Sequence, residues 1–128
     1  MTLNNQNILS IDYGERYVGF ALKKSNTNIG TPLKIVDQKK SNLNSELEAI
    51  IEFYNINLIV IGYPIGLNSQ LNRMTAVVDK FISSLNFNIP IEKIDERFTS
   101  NIISNNSTER NDDLSALEIL ESYIKKNE

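Results

Sequence analysis

The sequence predicts an α/β domain: one five-stranded mixed sheet with helices on its faces, in the order βββαβαβα. Three observations lead there. The chain begins with apolar stretches separated by short polar turns. Its period then changes from strand to helix. After that, short continuous apolar runs alternate with amphipathic stretches, the pattern of parallel strands joined by helical crossovers.

Asn7 to Asp12, with Ile8-Leu9-Ser10-Ile11 at its centre, reads as a strand buried on most of both faces. Tyr13-Gly14-Glu15-Arg16 is a turn, Tyr17 to Lys24 a second strand, Asn26 to Gly30 a further turn and Pro32 to Asp37 a third strand. Short turns between them imply an antiparallel meander. Leu43, Leu47, Ile50, Ile51 and Tyr54 recur at helical spacing, so Asn42 to Tyr54 is a helix. Leu58-Ile59-Val60-Ile61-Gly62 is typical of a buried parallel strand. Leu71, Met74, Val77, Val78, Phe81, Ile82 and Leu85 mark a second helix. Ile89 to Ile94 is the fifth strand, with Pro90 near its start, where a missing N–H is tolerated. Phe98 to Asn111 is a polar connection, and Leu117, Leu120, Tyr123 and Ile124 define the final helix.

Composition narrows the chemistry. A chain of 128 residues with 41% apolar content fits a single domain, 1–128, with one core. It holds no Cys, so no disulfide framework and no thiolate metal site. It holds no His, which excludes Ser-His-Asp and Cys-His catalysis and imidazole ligands. Met1 to Asn7 is polar and unlike a signal peptide, and no apolar run approaches the roughly 20 residues of a membrane span. The expected location is the cytoplasm, with no membrane partner.

Chemistry concentrates in acidic motifs at element ends. Asp12-Tyr13-Gly14 follows the first strand, Asp95-Glu96-Arg97 follows the fifth, and Asp112-Asp113 opens the last helix. Acids far apart in sequence converge on one edge of such a sheet, where ligands gather at the carboxyl ends of the strands. Converging carboxylates repel and are costly to desolvate, and a bound divalent cation offsets both. Hard oxygen ligands suit Mg²⁺ or Mn²⁺, so the candidate metal ligands are Asp12, Asp95, Glu96, Asp112 and Asp113.

Each motif also has an ordinary reading. Asp12 in a turn can bond nearby N–H groups, and acids at a helix start cap N–H groups and favour the dipole. Asp112 lies four residues before Ala116 and Asp113 four before Leu117, so both sit on or beside the buried stripe; period alone slightly favours Asp113 as the inward residue. Strand alternation sends Asp95 and Glu96 to opposite faces, so one of them faces the site. Gly14 and Gly19 flank the first hairpin, for turn and packing reasons or to admit a phosphate backbone near Asp12.

The net charge of −3 argues at first against a nucleic-acid partner. The five motif acids account for much of it: with those set aside, the thirteen Lys and Arg outnumber the remaining acids. A weakly basic rim around a metal-loaded centre is compatible with phosphate binding. The candidate nucleic-acid contacts are Gly14, Arg16, Arg97, Thr99, Ser100 and Arg110.

Taken together, these residues resemble the YqgF family. The resemblance is carried by Asp12-Tyr13-Gly14 with Gly19 and Ala21, by Ile59-Val60-Ile61-Gly62-Tyr63-Pro64 with Gly66, by Asp95-Glu96-Arg97-Phe98-Thr99-Ser100, and by Asp112-Asp113-Leu114-Ser115-Ala116 with Ile119-Leu120. It spans nearly the whole chain, in order. It implies a ribonuclease H-like fold and a Holliday junction resolvase-like nuclease associated with pre-16S ribosomal RNA. It implies Asp12, Glu96 (or Asp95) and Asp112 as catalytic acids, the last where helical period slightly prefers Asp113. One departure is the short Asn/Ser-rich segment between Ser100 and Asp112, where family members usually carry a longer loop with Lys or Arg; here Arg110 alone stands near the last acid.

The expected function is a metal-dependent nuclease that hydrolyses phosphodiester bonds in the maturation of pre-16S ribosomal RNA ends. Two divalent ions would supply an activated water and stabilise the leaving oxygen. The expected partner is RNA, with a DNA junction as the alternative substrate, and the expected state is a monomer because the helix stripes leave no apolar face to spare. The alternatives are a Holliday junction resolvase or a non-catalytic nucleic-acid-binding ribosome-assembly factor. An actin-like or sugar-kinase-like ATPase is discounted, since those enzymes close two such domains around ATP.

Overall fold

In a computed structural model that describes residues 5–64, 72–95 and 110–128, the chain follows the expected order. The elements are β1 (Ile8–Asp12), β2 (Tyr17–Lys23), β3 (Gly30–Asp37), α1 (Leu43–Tyr54), β4 (Leu58–Tyr63), α2 (Arg73–Ser83), β5 (Ile91–Asp95) and α3 (Asp112–Lys126). The sheet has five strands in the order β3-β2-β1-β4-β5. β1, β2 and β3 pair antiparallel, whereas β1, β4 and β5 pair parallel. The carboxyl ends of β1, β4 and β5 therefore share one edge.

β1 is central because its side chains have protein on both faces. Ile8, Leu9, Ser10 and Ile11 are all fully buried. Alternation divides them. Leu9 and Ile11 join Val18, Phe20, Ile59 and Ile61 beneath α1 and α2, around Leu47, Ile50, Val78 and Phe81. Ile8 joins Ala21, Leu58, Val60 and Ile94 beneath α3, around Ala116, Ile119 and Leu120. Ser10 points to the α3 side, and its hydroxyl donates to the Ala116 carbonyl at 2.8 Å. One buried polar atom thus ties the central strand to the last helix.

Caps set the helix limits. The Asn42 side chain accepts from Ser45 N at the start of α1, and Asn55 ends that helix in the left-handed region with φ 50°. Asn72 and Thr75 form a reciprocal capping box at α2. α3 starts with Asp112 and Asp113 and ends with Lys125 and Lys126, both favourable to its dipole.

Several boundaries differ from expectation by one residue, and two strand starts differ by two. β3 starts at Gly30 rather than Pro32, because its early residues are held by pairing with β2 rather than by burial. β5 starts at Ile91 rather than Ile89, because Pro90 has no N–H to give and joins the ladder only through its carbonyl, which accepts from Ile59 N at 3.0 Å. Of the expected second helix and polar connection, Leu71 and residues 98–109 lie outside the described residues.

Two buried polar groups brace the α3 side. The Lys23 ammonium is enclosed and donates to the Gln6 carbonyl at 2.8 Å and the Lys24 carbonyl at 3.3 Å; burial pushes its pKa down. The Tyr123 hydroxyl donates to Glu92 at 3.0 Å, and burial, then that bond, push its pKa from 10.0 to about 12. A raised tyrosine pKa means that the folded state holds a proton which the unfolded state releases. The contribution of Tyr123 is therefore complete below pH 10 and lost as pH rises towards about 12. The stability difference between the wild type and Tyr123→Phe, followed by urea unfolding, should shrink over that window. A difference unchanged across it would contradict this linkage.

Candidate functional site

The site is built at the carboxyl end of β1. Asp12 pairs in register with Gly19 of β2. Asp12 has the parity of Ile8 and Ser10, which face α3. Gly19 is where α3 lands: a Cβ on it would lie 1.9 Å from the Asp112 carbonyl oxygen and 2.7 Å from Asp113 N. No side chain fits between strand and helix. Backbone contact at Gly19 brings the first turn of α3 down onto the strand pair that ends in Asp12.

The two glycines of the first hairpin therefore have separate uses. A Cβ on Gly14 would lie 2.6 Å from the Tyr17 carbonyl oxygen, so Gly14 serves a tight turn. The space at Gly19 is filled by the helix; it does not admit a phosphate backbone.

Asp112 continues the line of Ala116 and Leu120, both fully buried, and its side chain is 19% exposed. Asp113 lies beside that line, and its Oδ1 accepts from Leu114 N at 3.0 Å. Both acids are partly buried, and the close approach at Gly19 is to the peptide bond that joins them.

Asp95 stands in register with Tyr63 at the end of β5. Ile94 packs against α3, so alternation turns Asp95 to the other face, that of Lys93. Lys93 bonds Asp79 of α2 at 3.1 Å, and the Tyr63 hydroxyl donates to the same carboxylate at 2.8 Å. These two partners hold the Asp79 carboxyl below the usual carboxylate range, the Tyr63 bond contributing most. The structure thus sets the Asp112 backbone against Gly19, the register partner of Asp12, and leaves Asp95 on the other face. Among the described residues no group of three or more acids takes a metal-holding arrangement. The expected set of Asp12, Asp95, Asp112 and Asp113 does not assemble as a unit, and Glu96, Arg97, Thr99 and Ser100 lie outside the described residues.

A basic flank borders the acids. Arg110 grips Asp112 with Nε to Oδ2 at 2.8 Å and Nη2 to Oδ1 at 3.1 Å. Its guanidinium also lies 3.9 Å over the Tyr17 ring, which Arg16 approaches at 4.8 Å. Arg16 is committed to Asp37 through two bonds of 3.3 Å, and that guanidinium holds the Asp37 carboxyl low. Tyr17 is the residue that sequence reasoning missed. Its parity with Gly19 was the available signal, since both must face the helix that brings Asp112.

Comparison with solved structures gives the class. The chain matches Thermus thermophilus RuvC in complex with a Holliday junction substrate with a TM-score of 0.61 and 9% identity, over 95% of each chain. It matches the Fowlpox virus resolvase in its junction DNA complex with a TM-score of 0.55 and 17% identity, over 94% of this chain and 97% of that one. The fold is ribonuclease H-like, the fold of these resolvases.

Sequence comparison gives the family. A model described as "RuvX: Holliday junction resolvase" matches residues 6–126. The chain is 38% identical over 109 residues to a protein of Rickettsia bellii (strain OSU 85-389) named "Putative pre-16S rRNA nuclease", covering 82% of this chain and 70% of that one. It is 32% identical over 123 residues to a protein of the same name from Polynucleobacter necessarius, covering 92% and 84%. The chain belongs to the RuvX family, the YqgF family of the sequence resemblance, and is a phosphodiester-hydrolysing nuclease of that family.

Proposed function

We propose that Asp12 and Asp112, with Glu96 as the middle acid, hold a divalent metal and that the protein cleaves single-stranded RNA at the ends of pre-16S ribosomal RNA. The observation that supports this reading is the seating of α3 on Gly19, in register with Asp12, which brings the Asp112 backbone against the strand pair that ends in Asp12. Glu96 is preferred to Asp95 as the middle acid because Asp95 follows Ile94 and so takes the opposite face. The donor set fits Mg²⁺ or Mn²⁺, which take one or two carboxylates and fill the rest of their shell with water and substrate phosphate. When bound, such ions supply an activated water and stabilise the leaving oxygen.

The chain's own residues do the rest. Asp12 and Asp112 present hard oxygens at one end of a rigid sheet. Arg110 neutralises Asp112 before metal arrives and, once released, turns to the phosphates beside the scissile bond. Arg16, half exposed, extends the basic flank across Tyr17. The cytoplasm is the compartment that such a substrate implies. Among the described residues no helix is long and apolar enough to cross a membrane.

A monomer suffices for this activity. Among the described residues the exposed large hydrophobics are Ile29, Phe53 and Leu114, on three different elements or turns. Paired cuts across a junction need two sites held by a symmetric dimer. The test is cleavage of a single-stranded precursor fragment and of a synthetic four-way junction, with and without Mn²⁺, alongside solution mass. The reading predicts metal-dependent cleavage of the RNA by a monomer. A dimer that cuts the junction symmetrically and spares the RNA would overturn it in favour of resolution, the activity in the family's description.

A further inference from the structure

We infer that the cleft between the β1–β2 turn and helices α1 and α2 is a subsite for one unpaired nucleobase of the strand whose backbone reaches the acidic corner. This rests on the nuclease reading above. The cleft has a volume of about 500 Å³, within the range of small-molecule sites. Its place follows from strand alternation. Asp12 faces α3, so Tyr13, the next residue, faces α1 and α2 and packs on the core there. A single turn therefore offers a carboxylate on one side of the sheet and an aromatic wall on the other.

The lining matches a base. Tyr13 stacks on Phe81 with ring centroids 4.2 Å apart and planes 19° from parallel. Phe81 is only 7% exposed, while Tyr13 is partly open, so Tyr13 supplies the accessible aromatic surface, with Val77 beside it. Bases stack on such rings whatever their identity. The rim supplies groups for a base edge. Gln38 donates its amide N–H groups to the carbonyls of Gly14 at 2.9 Å and Glu15 at 3.2 Å, which fixes its side chain and leaves its carbonyl as an acceptor. Asn44 adds an amide with both donors and acceptor, and Lys80 adds a donor.

Glu15 borders the cleft and is anchored there by Arg73 at 2.7 and 2.8 Å. A paired base has both its edge and its faces occupied, so only an unpaired one can enter. The cleft thus selects flexible single strands over a junction.

The test uses single-stranded RNA carrying 2-aminopurine at successive positions, with binding read by fluorescence in metal-free buffer and cleavage read separately with Mn²⁺. The wild type should quench one position strongly. Val77→Trp, which fills the cleft from a partly exposed site, should lose that quenching. An abasic nucleotide at the quenched position should weaken wild-type binding by about 5- to 150-fold, the worth of one stacked base, and weaken Val77→Trp little. Asn44→Ala, an exposed change that leaves the core alone, should reduce the preference among bases and stands in if Val77→Trp does not fold. Cleavage without position-dependent quenching, or an equal abasic cost in all proteins, would overturn the subsite and spare the nuclease reading. Quenching that Val77→Trp abolishes, in a protein that cleaves nothing, would support the subsite and sink the nuclease reading.

Discussion

Gly19→Ala should unseat α3, lowering stability and cleavage together. The added Cβ would lie 1.9 Å from the Asp112 carbonyl oxygen and 2.2 Å from its carbon, both backbone atoms that cannot swing aside. Overpacking of this kind costs about 1–3 kcal/mol, which for a domain of this size lowers Tm by roughly 5–15 °C. Displacing Asp112 by about 1 Å from Asp12 should cost a further 100-fold or so in cleavage, because reacting groups tolerate little misplacement. Gly30→Ala is the control. Its Cβ would meet the ends of the Leu120 and Leu117 side chains at 2.8 and 3.0 Å, and side-chain ends can turn. Thermal melts and single-turnover cleavage should show Gly30→Ala much the milder. Equal losses would mean that the contact at Gly19 has no special part in the site.

Asp12→Asn should abolish cleavage while leaving the fold intact. Losing even a partner of a metal ligand costs about 10- to 100-fold, so losing a ligand should exceed about 100-fold. Without metal, the variant should be as stable as the wild type or more so, because Asp12 no longer repels the acid that Gly19 brings beside it. Mn²⁺ should raise the Tm of the wild type and leave that of Asp12→Asn unmoved, since a ligand stabilises only the state that binds it. An Asp12→Asn protein that still cleaves RNA at the wild-type rate would sink the metal-site reading.

Much of the fold was legible because local chemistry and tertiary structure agree. The run Leu58 to Gly62 reads as a buried strand, and β4 is flanked by β1 and β5. Leu47 and Ile50, read as the inward face of a helix, are its buried residues. The candidate site was legible in its residues and less so in its geometry. That Gly19 seats a helix has no local signature, since it depends on residues far along the chain. Helical period places Asp112 and Asp113 on or beside one stripe, and the peptide bond between them is what meets Gly19. The choice between Asp95 and Glu96 depends on which face Ile94 takes, which alternation cannot give without a register. The link from Arg110 through Tyr17 to Arg16 joins residues whose spacing carries no motif.

If Asp12 and Asp112 hold one divalent ion, paramagnetic broadening by Mn²⁺ should reveal it. In a backbone-assigned NMR spectrum of the free protein, substoichiometric Mn²⁺ should broaden the amides of Asp12, Gly19, Asp112 and Asp113 together. Those of Asp37 and Asp79, acids already held by Arg16 and Lys93, should broaden less. Mg²⁺ in excess should restore the broadened signals, with weak affinity, because two or three carboxylates form no closed cage. Broadening centred on Asp37 or Asp79, or none near Asp12 at any Mn²⁺ level, would contradict the claim.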